Sequence, residues 1–216
     1  MNRSILEFND VWKSFGERNT KVDALKEINF KINKNSLNLV SGPSGSGKST
    51  LLNLTSLLDV PTKGKMVING KNTSSLSKSE RSNLRRSEIG IIYQRDNLFP
   101  YLNILENVMI PMVNQDKQKA IQKLKLVGID EIKKFPDEIS LEDQQRAALA
   151  RAMINDPLII LADEPTGELD SSSSIRFMGL LKDAAHNHLI LMASNNSDLR
   201  EYSDNSFSLK DGKFEL

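Results

Sequence analysis

Gly42-Pro43-Ser44-Gly45-Ser46-Gly47-Lys48-Ser49 decides how this chain is read. The run follows a short strand-like segment, Leu37-Asn38-Leu39-Val40, and precedes a leucine-rich stretch, Leu51 to Leu58, that reads as a helix. It matches in full the glycine-rich pattern that cradles phosphate groups, and it has the strand before and helix after that the pattern requires. Glycines let the backbone curl until successive N–H groups point inward. The following helix adds its positive N-terminus. Lys48 can then reach β- and γ-phosphates, and Ser49 offers an oxygen to Mg²⁺. A serine–glycine turn that merely happens to contain a lysine would need neither flanking element.

Further along, Leu158-Ile159-Ile160-Leu161-Ala162 is a continuous apolar run, the mark of a parallel strand covered on both faces. It ends at Asp163-Glu164-Pro165, at the sheet edge where ligands of parallel sheets bind. Asp163 there can hold Mg²⁺ through water, and Glu164 can polarise an attacking water. Leu189 to Ala193 reads as a second buried strand, and Ile89 to Tyr93 as another. Ile5 to Val11 and Ala24 to Ile32 alternate as antiparallel strands do. Met66-Val67-Ile68 runs into a hairpin turn at Asn69-Gly70, and Asp211-Gly212 joins Phe207–Leu209 to Lys213–Glu215 in the same way. From Leu98 to Asn155 the pattern is helical, with Ile121, Leu124, Leu126 and Val127 expected on one apolar stripe. Ser171 to Ser174 reads as a helix start, followed by a helix from Ile175 to Ala185.

Composition narrows the classes. The 216 residues suffice for one core, or one core with a subdomain. Lys plus Arg number 29 against 28 Asp plus Glu, and a net charge of +1 gives no reason to expect a nucleic-acid surface. The chain has no cysteine, which excludes disulfides, thiolate metal sites and cysteine nucleophiles. No apolar run approaches the roughly 18 residues of a spanning helix. Met1-Asn2-Arg3-Ser4 does not lead into the apolar core of a secretion signal. The expectation is a soluble chain that serves a membrane, if at all, from its cytoplasmic surface.

Taken together, the motifs resemble the ABC transporter ATPases, with the closest look to the lipoprotein-release and macrolide-export branch. The markers are Gly42 to Thr50; Gln94 after Ile89-Gly90-Ile91-Ile92-Tyr93; Gln144-Gln145-Arg146 with Ala150-Arg151-Ala152; Leu161 to Pro165; Thr166-Gly167-Glu168-Leu169-Asp170; and Asp211-Gly212. The resemblance covers essentially the whole chain and implies an α/β fold of residues 1–216. That fold is a RecA-like P-loop NTPase core, an N-terminal antiparallel β subdomain, and an inserted α-helical subdomain at approximately 98–155. It implies ATP bound by Phe15 and by Gly42, Pro43, Ser44, Gly45, Ser46, Gly47, Lys48, Ser49 and Thr50. Phe15 would stack on adenine, keeping the π-face of the tyrosine often found there. Mg²⁺ would be held by Ser49, Gln94 and Asp163, and catalysis would fall to Glu164, Gln94 and Asn195. It implies a second ATPase subunit, either a copy or a different chain, and a separate membrane permease. The apolar cluster Leu98-Phe99-Pro100-Tyr101-Leu102 either docks that permease or packs the helical insert.

Two departures stand out. The family's Leu-Ser-Gly-Gly-Gln signature, which closes on the partner's γ-phosphate, is here Ile139, Ser140, Leu141, Glu142 and Asp143. Leu141 and Glu142 put side chains where glycines let the backbone approach, and Glu142 and Asp143 bring two carboxylates toward an anion. The switch histidine is replaced by Asn195 in Ser194-Asn195-Asn196; asparagine can hydrogen-bond a phosphate but cannot carry charge. His186 and His188 lie before the strand Leu189–Ala193, at the far end of the sheet, and read as surface histidines. Asp170 is expected on the dimer interface. The expectation is therefore a slow ATPase coupled to transport. The alternative is an ATP-binding, essentially non-hydrolysing partner in a heterodimer, which the intact Glu164 disfavours. A GTPase would carry Asn-Lys-x-Asp, which is absent, and nothing signals the acceptor site or lid of a small-molecule kinase.

Overall fold

The computed structural model describes residues 4–17, 20–94 and 97–215; the reading of Met1-Asn2-Arg3 falls outside them. Among the described residues, ten strands and six α-helices follow in the order β1 (Leu6–Phe15), β2 (Val22–Ile32), β3 (Ser36–Ser41), α1 (Lys48–Thr55), β4 (Lys63–Ile68), β5 (Lys71–Asn72), α2 (Lys78–Glu88), β6 (Ile89–Ile92), α3 (Ile104–Met109), α4 (Lys117–Leu126), α5 (Leu141–Ala152), β7 (Ile159–Asp163), α6 (Ser171–Ala184), β8 (Leu189–Ser194), β9 (Asn205–Lys210) and β10 (Lys213–Phe214). They form a four-stranded antiparallel sheet, β2-β1-β4-β5, and a six-stranded sheet, β10-β9-β3-β8-β7-β6. The six-stranded sheet is parallel from β9 to β6, and only the edge strand β10 runs antiparallel.

The parallel sheet is covered on both faces, as its unbroken apolar strands require. Alternate residues of β7 enter different clusters. Ile160 and Ala162 pack with α3, α4, α5 and α6. Ile159 and Leu161 pack with α1 and the antiparallel sheet. β1 alternates inward at Leu6 and Phe8 but then breaks step. Asp10 takes φ +47° and the register shifts between Phe8 and Val11, so Val11 regains the core face. Opposite this bulge, Gly64 has φ +83°, and a Cβ there would lie 2.0 Å from the Asp10 carbonyl oxygen. Both hairpin turns adopt left-handed backbone at two consecutive residues, Asn69-Gly70 and Asp211-Gly212, as two-residue loops demand.

Several sequence expectations change. The helix after the cradle begins at Lys48 rather than Leu51. Ser171–Ser174 is a helix start as read, but α6 already begins at Ser171 rather than Ile175, capped by Asp170. Leu126 leaves the apolar stripe: Leu124 and Val127 are buried, but Leu126 is 68% exposed. His188 is not a surface residue either. It is 6% exposed, with Nδ1 2.6 Å from the Pro157 carbonyl oxygen, and burial lowers its pKa. His186 is exposed as expected, and both lie at the N-terminal end of β8. Helix α2 has no apolar stripe to announce it, because it buries no residue fully; a Ser77–Glu80 capping box starts it. Among the described residues, no helix is long and apolar enough to cross a membrane.

Gly64→Ala should lower stability by about 1–3 kcal/mol, through a strained backbone and a clash with Asp10. Denaturant titration checks this; a loss below about 0.5 kcal/mol would show that the bulge yields freely.

Candidate nucleotide site

Strand register builds the site. Ser41 pairs with Ser194 across β3 and β8, and Asp163 pairs with Ala193 across β7 and β8, so the carboxyl ends of three central strands finish level. The segments leaving these strands therefore meet at one edge of the sheet. A cleft of about 270 Å³ there is lined by Ser44, Gly45, Gly47, Lys48, Ser49, Thr50, Gln94, Asp163, Glu164 and Asn195, with Ala24 from β2. Most of the residues singled out for phosphate, Mg²⁺ and water chemistry thus converge. Glycine is required at two cradle positions. A Cβ on Gly42 would sit 2.0 Å from the Leu209 carbonyl oxygen, and Gly47 has φ +109°.

Lys48 is 7% exposed, and its ammonium donates to the carbonyls of Gly42 (2.8 Å) and Pro43 (3.0 Å) and to Asn195 Oδ1 (2.5 Å). Asn195 thus acts on the cradle lysine. Glu164 has φ +45°, its N–H bonds the Ala193 carbonyl at 2.9 Å, and its own carbonyl accepts from Gly167 N–H at 3.1 Å. Its Oε2 accepts from Ser194 Oγ at 3.0 Å, while Oε1 is buried with no partner. Gly167 packs at this corner: a Cβ there would make ordinary contacts, 3.4 Å from the Glu164 carbonyl oxygen and 3.7 Å from Gln94 Nε2.

An orphaned, buried carboxylate oxygen beside Asp163 fits a site that receives a water or a cation. Among the described residues no three His, Cys, Asp or Glu side chains cluster as a metal cage. That donor set suits an ion held by one or two protein oxygens together with substrate phosphates, the usual habit of Mg²⁺. Phe15 lies at the end of β1, paired with Val22, 47% exposed, with Lys13 Nζ 4.9 Å from its ring centroid. Phe15 is not among the residues that line the cleft.

Ser140, Leu141, Glu142, Asp143 and Asp170 do not line the cleft. Ser140 caps α5, accepting from Asp143 N–H (3.1 Å) and donating to Asp143 Oδ2 (2.8 Å). Asp170 caps α6, and the N–H of Ser173 and the hydroxyls of Ser172 and Ser173 hold its carboxyl below the ordinary range. Leu141 is 40% exposed.

Glu142 differs from expectation. Its side chain is 13% exposed and turned toward α6. It accepts from Arg176 Nε (3.0 Å) and Nη2 (2.5 Å), from Ser173 Oγ (2.7 Å), and from Arg146 in a close ion pair. Arg176, then Ser173 and Arg146, lower its pKa to about 2 against the opposing effect of burial. The isolated charge expected to repel a phosphate is therefore neutralised within the protomer. The Glu142–Arg146 pair was legible from its four-residue helical spacing. Arg176, 34 positions away, and the Ser194 hydroxyl left no local signal.

Comparison with known proteins agrees with this geometry. The ABC transporter family profile matches residues 25–167. The chain belongs to the ABC transporter ATP-binding family. It is 41% identical, over 97% of each chain, to an uncharacterised ABC transporter ATP-binding protein of Methanocaldococcus jannaschii. It is 40% identical to the lipoprotein-releasing system ATP-binding protein LolD of Wigglesworthia glossinidia brevipalpis, covering 98% of this chain and 96% of that one. It is 38% identical to the macrolide export ATP-binding/permease protein MacB of Chlorobium phaeobacteroides, of whose length it spans 33%. An ATP-binding cassette of Methanocaldococcus jannaschii, solved as a dimer in a post-hydrolysis state with ADP and Pi, superposes with TM-score 0.88 at 33% identity over 98% of this chain and 97% of that one.

Glu142→Gln should cost about 1 kcal/mol at neutral pH, since Arg176 is half exposed and the pair is screened. Because the folded-state pKa is depressed, this stabilisation is complete above the unfolded value near 4.3 and fades as pH falls toward about 2. Urea melts of both proteins between pH 7 and pH 2 should converge; a constant gap would exclude the ionised network as the cause.

Proposed function

We propose that this chain is the ATP-binding and ATP-hydrolysing subunit of an ABC transporter, working as a dimer beneath a separate membrane permease, with slow intrinsic turnover. The observation that carries this reading is the cleft that gathers Lys48, Ser49, Gln94, Asp163 and Glu164 at one sheet edge. The cradle and Lys48 hold the phosphates, and Phe15 stacks on adenine. Ser49, Gln94 and Asp163 hold Mg²⁺, which when bound neutralises phosphate charge. Glu164 takes a proton from the attacking water.

Each ATP is closed by the other protomer's Ser140 loop, which lies off this protomer's own cleft. Slow turnover follows from two features. Leu141 stands exposed where a glycine would let backbone N–H groups close on a phosphate. Asn195 supplies a neutral amide in place of an imidazole. A purely structural, non-hydrolysing role fits less well, because Glu164 lines the cleft and keeps a buried carboxylate oxygen with no hydrogen-bond partner. Loss of one well-placed transition-state donor typically costs about 10²–10³ in rate.

The permease side is a groove of about 310 Å³ whose walls include Arg85, Arg86, Ile89, Tyr93, Phe99, Ile110 and Pro111. Tyr93, Phe99 and Ile110 are 46%, 53% and 44% exposed, an apolar strip of the kind that marks a protein contact. Hydrogen bonds within the loop present the strip: buried Asn107 accepts from Phe99 N–H (2.7 Å) and donates to the carbonyls of Phe99 (3.0 Å) and Leu102 (2.8 Å). Leu98 packs inward, so the apolar cluster serves both the core and the surface. The groove reaches Tyr93, the neighbour of Gln94, which connects docking to the cleft.

Calorimetry should show micromolar ATP binding by the wild type and its loss in Lys48→Ala. Turnover of the isolated protein should stay below about 1 s⁻¹, under the ordinary enzyme range. The pair Leu141→Gly with Asn195→His, which leaves Glu142 in place, should raise it at least tenfold. Equal ATP affinity in both proteins would sink the assignment, and fast wild-type turnover would sink the slow-ATPase reading.

Phe99→Asp should abolish co-purification with the permease while leaving ATP affinity intact. A parallel fall in ATP affinity would instead assign Phe99 to the fold.

A further inference from the structure

We propose that Ser194, the last residue of β8, is the positioning residue for the Glu164 carboxylate, fixing which of its two oxygens receives the proton of the attacking water. The inference rests on the reading of the cleft as an ATPase site.

The hydroxyl of Ser194 has one hydrogen, and its direction is determined. Asn196 N–H donates to Ser194 Oγ at 3.1 Å, which occupies the acceptor side. Glu164 Oε2 lies 3.0 Å away as the acceptor for the hydroxyl hydrogen. Ser194 itself is 2% exposed and held in strand register with Ser41, so the donor has little freedom to wander. The backbone of Glu164 is fixed at both ends by Ala193 and Gly167. What remains free is the rotation of its side chain, and the Ser194 bond removes it. With Oε2 engaged, Oε1 is the oxygen without a partner, buried in the cleft wall.

Residue 195, where the resemblance places the switch histidine, does not share this task. Its side chain is committed to Lys48 at 2.5 Å. The end of β8 and the residue after it thus serve two separate functions: Asn195 to the cradle lysine, Ser194 to the carboxylate. In the resulting step the water oxygen bonds the γ-phosphorus, and its proton passes to Glu164 Oε1. The bond from the γ-phosphorus to the bridging oxygen breaks, leaving ADP and phosphate.

The test uses the full chain as wild type, Ser194→Ala, Ser194→Cys and Ser194→Thr. Phosphate release is followed over long incubations, ATP affinity by calorimetry, folding by thermal melts, and the Glu164 rotamer by high-resolution crystallography. Ser194→Ala should lower kcat about tenfold, the effect of one hydrogen bond to a charged group, with KM and ATP affinity unchanged. Ser194→Cys, close in size but a poor donor, should follow Ser194→Ala even if the alanine variant folds badly. Ser194→Thr should restore the rate. Glu164 should hold one rotamer in the wild type and spread over several in Ser194→Ala. The proposal is overturned if Ser194→Ala and Ser194→Cys keep kcat within twofold of wild type, if threonine fails to rescue, or if kcat and ATP affinity fall together. A wild type that binds ATP yet releases no phosphate also overturns it. A wild type that binds no ATP overturns instead the reading of the cleft on which it depends.

Discussion

The level finish of β3, β7 and β8 is the constraint on which the site depends. Parallel pairing sets Ser41 beside Ser194 and Ala193 beside Asp163, and a slip of one residue would reverse which side chains face each layer. Two packed layers prevent that slip, because each strand presents apolar side chains to both. Ile160 and Ala162 serve the helical layer, while Ile159 and Leu161 serve the layer of α1 and the antiparallel sheet. The cradle, the carboxylate pair and the Ser194-Asn195 segment need no long-range polar scaffold to meet. They meet because the hydrophobic core leaves the strands a single register.

Much of this was legible because the governing signals are local. The glycine-rich cradle carries its context beside it, and the buried strands declare themselves as apolar runs before Asp163 and Ser194. Both hairpins were written in two-residue turns. Legibility failed where the signal was weak or tertiary. Helix α2 has no buried residue and hence no apolar stripe, only a capping box. Leu126 faces solvent because it follows Leu124 by two residues, which puts it on the opposite side of the helix from the stripe of Leu124 and Val127. His188 looks polar and is buried, since Pro157 supplies its partner from a neighbouring loop. No spacing rule links Glu142 to Arg176 or Ser194 to Glu164; only the folded chain places them in contact.

The two departures from the family pattern therefore have different physical characters. At Asn195 a charged or titratable group has been exchanged for a neutral amide that restrains the cradle lysine. At Glu142 a new charge has been added, but with its counter-charges in place: Arg146 on the same helix and Arg176 across on α6. The signature loop is thereby coupled to the segment that begins at Asp170, through Ser173, whose hydroxyl donates to Glu142 and whose N–H donates to Asp170.

That coupling has an evolutionary consequence. Once Arg146 and Arg176 share the carboxylate of Glu142, a return to glycine at that position is no longer a single neutral step. It would take from two guanidinium groups and a serine hydroxyl the carboxylate they share, and it would restore backbone freedom at a helix start now stiffened by side-chain contacts. A glycine at 142 is therefore better accommodated when Arg176 on α6 changes with it. The effect of the residue at 142 thus depends on the residue at 176, which is epistasis written in one ion pair.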